Sequence, residues 1–168
     1  FKNKNLNFIC VSDALRQDIE SFSGEKINYK IVSNTIDCSI FKNINYERIN
    51  NSYFMLSYWK VPKDPFLILN VFAKLKSNNI KFTLNIGGFG PLDEEMKILV
   101  TKLELNDSVT FLGKLNADEI VEEMNKVQFF IHNSDYEVSS VVCMEALTCG
   151  TPVIASNVGG IKEYIISS

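Results

Sequence analysis

The residues best placed for chemistry lie in NSDYEVSSVVCMEALTCG, residues 133–150. Glu137 and Glu145 stand eight positions apart there, one before a helical stretch and one inside it. Ser139, Ser140 and Val141 open that stretch. The unpaired N–H groups and the dipole of a helix start favour a phosphate. Two carboxylates beside such a site are poor phosphate ligands, but they accept hydrogen bonds from hydroxyls, as on a ribose or a hexose. Phosphate donors next to hydroxyl acceptors make the chemistry of a nucleotide-sugar site. The plain alternative is that Glu137 caps the helix and Glu145 is a partly exposed helical acid.

Other candidates carry weaker signals. Lys63 sits in a loop between a strand and a proline-started helix, where it is either a solvated lysine or a cation within reach of a diphosphate. Tyr58, Trp59 and Lys60 share that loop, and Trp59 fits a pocket wall or the core equally well. Gly87-Gly88-Phe89-Gly90-Pro91 reads as a tight turn after a strand. A dinucleotide fingerprint needs GxGxxG in the first βα unit and an acidic residue some 20 positions on, and this cluster meets neither condition. His132, the one histidine, ends an apolar strand without a nucleophile at a useful spacing and reads as structural or as support for a neighbour. The acidic run at 118–124 reads as a solvated helix face rather than a metal site. Cys10, Cys38, Cys143 and Cys149 show no metal-ligand spacing and read as small buried thiols.

The elements that must position these residues alternate between two periods. Apolar runs at 7–11, 29–33, 53–57, 80–86, 108–113, 127–132 and 152–156 predict strands. Helical spacing follows them: Leu15, Ile19 and Phe22 between Ser12 and Gly24; Ile68, Phe72 and Leu75 after Pro65; Leu92 to Leu103; Ile120, Val121 and Met124; and 140–149, stopped by Gly150. IKEYII begins a last helix. The Asn-rich stretch 42–52 predicts a loop. Strand–helix alternation with near-continuous apolar strands predicts a parallel sheet covered on both faces, an α/β, Rossmann-like three-layer αβα sandwich. Ligands of such sheets bind outside the carboxyl ends of the strands, where the loops above lie.

Length and composition fit that fold and narrow the function. The chain has 168 residues, 46% hydrophobic and 22% charged, which suits a globular domain. No apolar run approaches the ~20 residues of a membrane helix. A net charge of −3 without a basic stripe argues against a nucleic-acid partner. The cysteine usage and the absence of a signal-like opening favour a cytoplasmic setting. The first residue is Phe1, and the chain reads as a piece of something longer.

Taken together, the motifs resemble the C-terminal, donor-binding half of family 4 retaining glycosyltransferases with the GT-B fold. FICVSDALRQDIESF looks like the segment that ends that family's acceptor domain. KIVSNTIDCSIF is similar to its "V-I-P-N-G-V-D" crossing, FMLSYWKVPKDPFLILNVFAKL to "G-R-L…K-G", GGFGP to "G-x-G-P", and SVTFLGKL to "V-x-F-L-G". EVSSVVCMEALTCGTPVIASNVGGIKEYI is similar to the E-x7-E block and the segment behind it.

The resemblance implies a role for each matched residue. Glu137 would contact the transferred sugar near the reacting centre, as the catalytic carboxylate. Glu145 would bind ribose hydroxyls, and the backbone of Ser139, Ser140 and Val141 would hold the diphosphate, with Lys63 neutralising it. Leu112 to Leu115 would lie beside the base, and Tyr58 and Gly88 would line the donor site. No metal and no cofactor are expected, the nucleotide-sugar being a substrate, because basic groups and a helix dipole stabilise the leaving diphosphate. Retention would use a front-face route or a short-lived ion pair, with the leaving phosphate as base.

On this resemblance, residues 1–28 are the tail of an N-terminal acceptor domain, and 29–168 are a nucleotide-sugar-binding domain truncated at its C-terminus. The acceptor would be a glycan or a lipid-linked molecule, in surface polysaccharide biosynthesis at the inner face of the membrane, and the piece alone would not catalyse transfer. The sequence departs from the family at Ser57 and Tyr58, where Gly and Arg are usual, with Lys60 a substitute cation in the same loop. Val138-Ser139-Ser140 likewise replaces a glycine-rich run, and Asn34-Thr35-Ile36-Asp37 stands for "N-G-V-D". These changes imply altered donor choice, weaker binding or a degenerate enzyme. The alternatives are a non-catalytic module of the same fold and a sugar-nucleotide epimerase of related architecture.

Overall fold

A computed structural model describes residues 6–165 of the chain. Near the amino end, a strand at Asn7–Cys10 (β1) and one at Asn28–Ile31 (β2) pair in parallel as a two-stranded sheet. The helix Asp13–Ser23 (α1) connects them. Ser12 caps it, its hydroxyl oxygen accepting the Leu15 N–H at 3.1 Å, and Gly24 ends it in the left-handed region at φ 70°. This sheet runs across position 28, where the sequence suggests a boundary.

The remaining strands form one five-stranded parallel sheet. They are β3 (Ile49–Tyr58), β4 (Thr83–Phe89), β5 (Val109–Gly113), β6 (Val127–His132) and β7 (Val153–Ala155), in the spatial order β5-β4-β3-β6-β7. The helices α2 (Pro65–Ser77), α3 (Asp93–Lys102), α4 (Ala117–Lys126) and α5 (Val141–Thr148) make the crossovers. Strand side chains alternate between faces, so neighbours feed different cores. Met55 and Ile131 join a cluster with Leu69 and Phe72 of α2 and Met96 and Val100 of α3. Phe54 and Phe130 join one with Val121 and Met124 of α4 and Cys143 and Ala146 of α5. The sheet is therefore covered on both faces, as its apolar strands require. The Rossmann-like α/β expectation holds.

Several boundaries differ from the sequence reading, each for a local reason. β3 starts at Ile49, inside the stretch read as loop. Its polar half is interrupted by an irregularity between Ile49 and Tyr53, with Asn51 at φ 53°, which hides the strand pattern. Gly87-Gly88-Phe89 is not a turn but the end of β4, paired with Leu56, Ser57 and Tyr58. Gly88 has φ 98°, and a Cβ there would lie 1.8 Å from the Ser57 carbonyl oxygen, so only glycine lets the strands meet. Residues 159–163 form a short 3-10 helix rather than an α-helix. Of the expected apolar face of α1, Leu15 and Ile19 are partly buried, but Phe22 is 88% exposed. Cys38 is exposed, unlike the other three cysteines. The first five residues of the expected acceptor-domain tail, and the continuation of the last helix beyond Ile165, lie outside the described residues.

Candidate functional site

A cavity of about 490 Å³ opens at the carboxyl edge of the five-stranded sheet. The end of β3 supplies Leu56, Ser57 and Tyr58, and β4 supplies Gly88 and Phe89. Lys114 and Leu115 follow β5, and His132 ends β6. Lys63 comes from the β3–α2 loop; Glu137, Ser139, Ser140 and the first turns of α5, including Glu145, close the wall. The structure thus brings together Glu137, Glu145, Lys63, Ser139, Ser140, Val141, Tyr58, Gly88 and Leu115. Leu112 stands apart. It packs against the α4–α5 core cluster, as Leu115 does, but is not part of the cavity wall. Trp59 is core, with its indole N–H donated to the Gly87 carbonyl at 3.0 Å.

Two loops are strapped together to place Lys63 against Glu137. Lys63 bridges Ser134 in antiparallel fashion, and the Asp135 N–H donates to the Pro62 carbonyl at 3.0 Å. The Ser134 hydroxyl then ties Pro62 and Tyr136 carbonyls together. From the other side, the Gly160 N–H donates to the Glu137 carbonyl at 3.0 Å. That approach depends on Gly159, at φ 50°, where a Cβ would sit 1.6 Å from the same oxygen.

The resulting polar cluster has His132 at its centre. The Lys63 ammonium donates to Glu137 Oε2. His132 Nε2 lies 3.2 Å from both Lys63 Nζ and Glu137 Oε2, and 3.4 Å from the Ser140 hydroxyl. The hydrogen bond with His132, and after it Lys63, hold the Glu137 carboxyl down to about 2, against the upward push of burial. Glu137 is thus an anion held in place. It does not cap α5, whose N-terminus has no side-chain cap; the Ser140 hydroxyl turns to His132 instead. The first N–H groups of α5 are left for another acceptor. Glu145 is the opposite case. Its carboxylate has no hydrogen-bond or ion-pair partner among the described residues, and burial raises its pKa.

The sequence reading kept His132 out of the site except as support for a neighbour, and gave Lys114 no role of its own within the 112–115 segment. His132 carried one usable signal, its place at the carboxyl end of an apolar strand, where ligands of parallel sheets bind. Lys114 had a similar one, being first after a strand. Among the described residues no group of three or more His, Cys, Asp or Glu side chains is arranged to hold a metal ion. The acidic face of α4 is surface: Asp118 and Glu119 are exposed, and Glu119 closes a capping box with Asn116.

The comparisons with known proteins agree with this architecture. The family described as glycosyl transferases group 1 matches residues 45–168. An α-monoglucosyldiacylglycerol synthase of Streptococcus pneumoniae is 27% identical over 161 residues, covering 88% of this chain and 36% of that protein. The gpi3 subunit of a Schizosaccharomyces pombe phosphatidylinositol N-acetylglucosaminyltransferase is 30% identical over 101 residues, covering 60% of this chain and 22% of its own. Among solved structures, Anabaena HepE in complex with UDP and glucose superposes with a TM-score of 0.81 at 22% identity, covering 95% of this chain and 46% of that one. S. aureus TarM, solved with UDP and other ligands, gives 0.82 at 19% identity, covering 95% and 31%. The chain therefore spans less than half the length of each of these relatives. It belongs to the glycosyl transferases group 1 family and has the fold of a GT-B glycosyltransferase domain.

Proposed function

We propose that this member of the glycosyl transferases group 1 family supplies the donor site of a retaining glycosyltransferase that takes its sugar from a UDP- or GDP-linked donor. The observation that carries the reading is the open N-terminus of α5 between one carboxylate paired with Lys63 and His132 and one without a partner among the described residues, at the carboxyl edge of a parallel sheet. The N–H groups of α5 take the diphosphate, and their fixed dipoles stabilise the charge that grows on it as the glycosidic bond breaks. Glu145 takes the ribose hydroxyls, which satisfy a partly buried carboxylate that has no partner among the described residues. Glu137, kept ionised by His132 and Lys63, accepts hydrogen bonds from the transferred sugar and does not donate a proton to it. Lys63 adds positive charge, Leu115 packs beside the base, and Leu112 backs it from the core. These groups do the work without a metal or cofactor. Retention follows from departure and attack on the same face, with the leaving phosphate as base.

In the same reading, residues 1–28, together with the rest of β2 that pairs with β1, close a preceding acceptor domain, and the remainder of 29–168 makes the donor-binding unit. The acceptor is a glycan or a lipid-linked molecule, and the setting is surface polysaccharide synthesis in the cytoplasm, at the inner membrane face. Support comes from relatives named for glycolipid synthesis and from similar folds solved with UDP and glucose. Among the described residues no helix is long and apolar enough to cross a membrane. Tyr58 in place of the family's arginine favours a second reading, a binding module without transfer.

Titration of the chain with UDP, GDP and their sugars, by calorimetry, tests the proposal. Binding that is lost in Glu145→Ala supports it. No affinity for any of these nucleotides overturns it.

A further inference from the structure

The cavity's charges do not balance around an incoming diphosphate if Lys63 is its sole cation. Lys63 is already ion-paired with Glu137, and His132 stands against both. An ion pair in contact presents little net field to a third charge, since each partner offsets the other over nearly the same distance. The remaining cavity carboxylate, Glu145, repels phosphate. Tyr58 holds the position where the resemblance places an arginine.

One further cation lines the cavity. Lys114 follows β5 and is exposed, with no carboxylate partner among the described residues. Its ammonium instead lies 5.8 Å from the centroid of the Phe89 ring. Phe89 meets Tyr58 edge to face, with centroids 5.2 Å apart and planes at 75°. Lys60 covers the Tyr58 ring at 5.5 Å, but it is not part of the cavity wall. The two rings thus form a ledge that holds the Lys114 ammonium at the cavity by a cation–aromatic contact, without cancelling its charge.

We infer that Lys114 is the uncompensated cation that meets the donor's diphosphate, positioned by Phe89 and Tyr58, beside Lys63, whose charge is shared with Glu137. This rests on the nucleotide-sugar reading above and gives Lys114, which the resemblance sets only in a segment beside the base, a charge contact with the diphosphate. It also reassigns Tyr58, from a lost phosphate ligand to part of the ledge that places another.

The test compares UDP and GDP with uridine and guanosine, which lack the diphosphate, by calorimetry on the full chain. Lys114→Gln is expected to weaken the diphosphates about tenfold, the scale of one charge-assisted contact, and to leave the nucleosides unchanged. Lys114→Arg is expected to restore diphosphate binding, and Phe89→Leu to weaken it less than Lys114→Gln does. Unfolding curves on each variant establish that the fold is retained. If Lys114→Gln weakens diphosphates and nucleosides equally, or neither, the inference fails while the nucleotide reading stands. If wild-type protein binds none of the four, both fail.

Discussion

The two ends of α5 meet polar groups in opposite ways. At its C-terminus, on the amino edge of the sheet, the protein supplies donors of its own. Arg48 donates to the Cys149 carbonyl at 3.1 Å, and to the carbonyls of Met124, Asn125 and Val127 at 2.9, 3.3 and 2.7 Å. It also reaches the Thr151 hydroxyl at 3.1 Å. Several of these are the carbonyls that helix ends leave unpaired, here those of α4 and α5. Asn125 completes the cluster, donating to the Lys42 and Val121 carbonyls and accepting the Ile44 N–H. At the N-terminus of α5, on the carboxyl edge, the protein stops short: no side chain caps the helix, and Glu145, a turn further in, has no partner among the described residues. The difference separates a polar cluster that holds the fold from one that awaits a ligand. Both contain a shielded cation, so burial of charge alone does not distinguish them. What does is whether the protein itself fills the valences.

That contrast can be broken from either side, beginning with the closed end. Arg48→Met leaves the carbonyls of two helix ends without a donor, and is expected to cost about 4 kcal/mol in urea unfolding. The molecules that remain folded should bind nucleotide with unchanged affinity; weakened binding would mean that the two ends are not independent. Gly159→Ala drives a Cβ into the Glu137 carbonyl and is expected to cost about 3 kcal/mol. It should also weaken nucleotide-sugar binding, because it displaces the loop that carries Glu137.

These two predictions show unequal legibility in the sequence. The strands were legible where both faces are apolar, as in IKFTLNI and VQFFIH. The amino half of β3 was not, because INNS is polar and bulged, and the end of β4 looked like a turn because its glycines serve strand contact. That Glu137, Glu145 and Lys63 line one cavity was legible from the resemblance, and for the two carboxylates from their spacing as well. Arg48 was not, because its partners are backbone carbonyls contributed by segments more than 70 positions away. His132 was undervalued for a related reason: a lone histidine acquires its meaning from Lys63 and Glu137, which folding brings to it.

Within the open end, the two carboxylates should respond to acid with opposite signs. Glu137 has its folded-state value pulled from 4.5 to about 2. Its contribution is fully present above pH 4.5 and is lost as pH falls towards 2. The loss is at most about 3 kcal/mol, read as an acid limb that Glu137→Gln flattens. Glu145 is raised by burial, so its charged form disfavours the folded chain, and protonation as pH falls relieves it. Glu145→Gln is therefore expected to stabilise the ligand-free chain at neutral pH by less than about 1 kcal/mol while weakening nucleotide binding. A variant that loses both stability and binding would show that Glu145 serves the fold.

The most direct measurement follows both ends of α5 at once. In a 15N-labelled sample, saturating UDP or GDP is expected to shift the amide signals of Val141 and Val142, at the open N-terminus. The Cys149 amide and the Arg48 guanidinium should stay where they are. Unmoved Val141 and Val142 signals, or shifts confined to the Arg48 cluster, would contradict the assignment of the carboxyl edge as the nucleotide-sugar site.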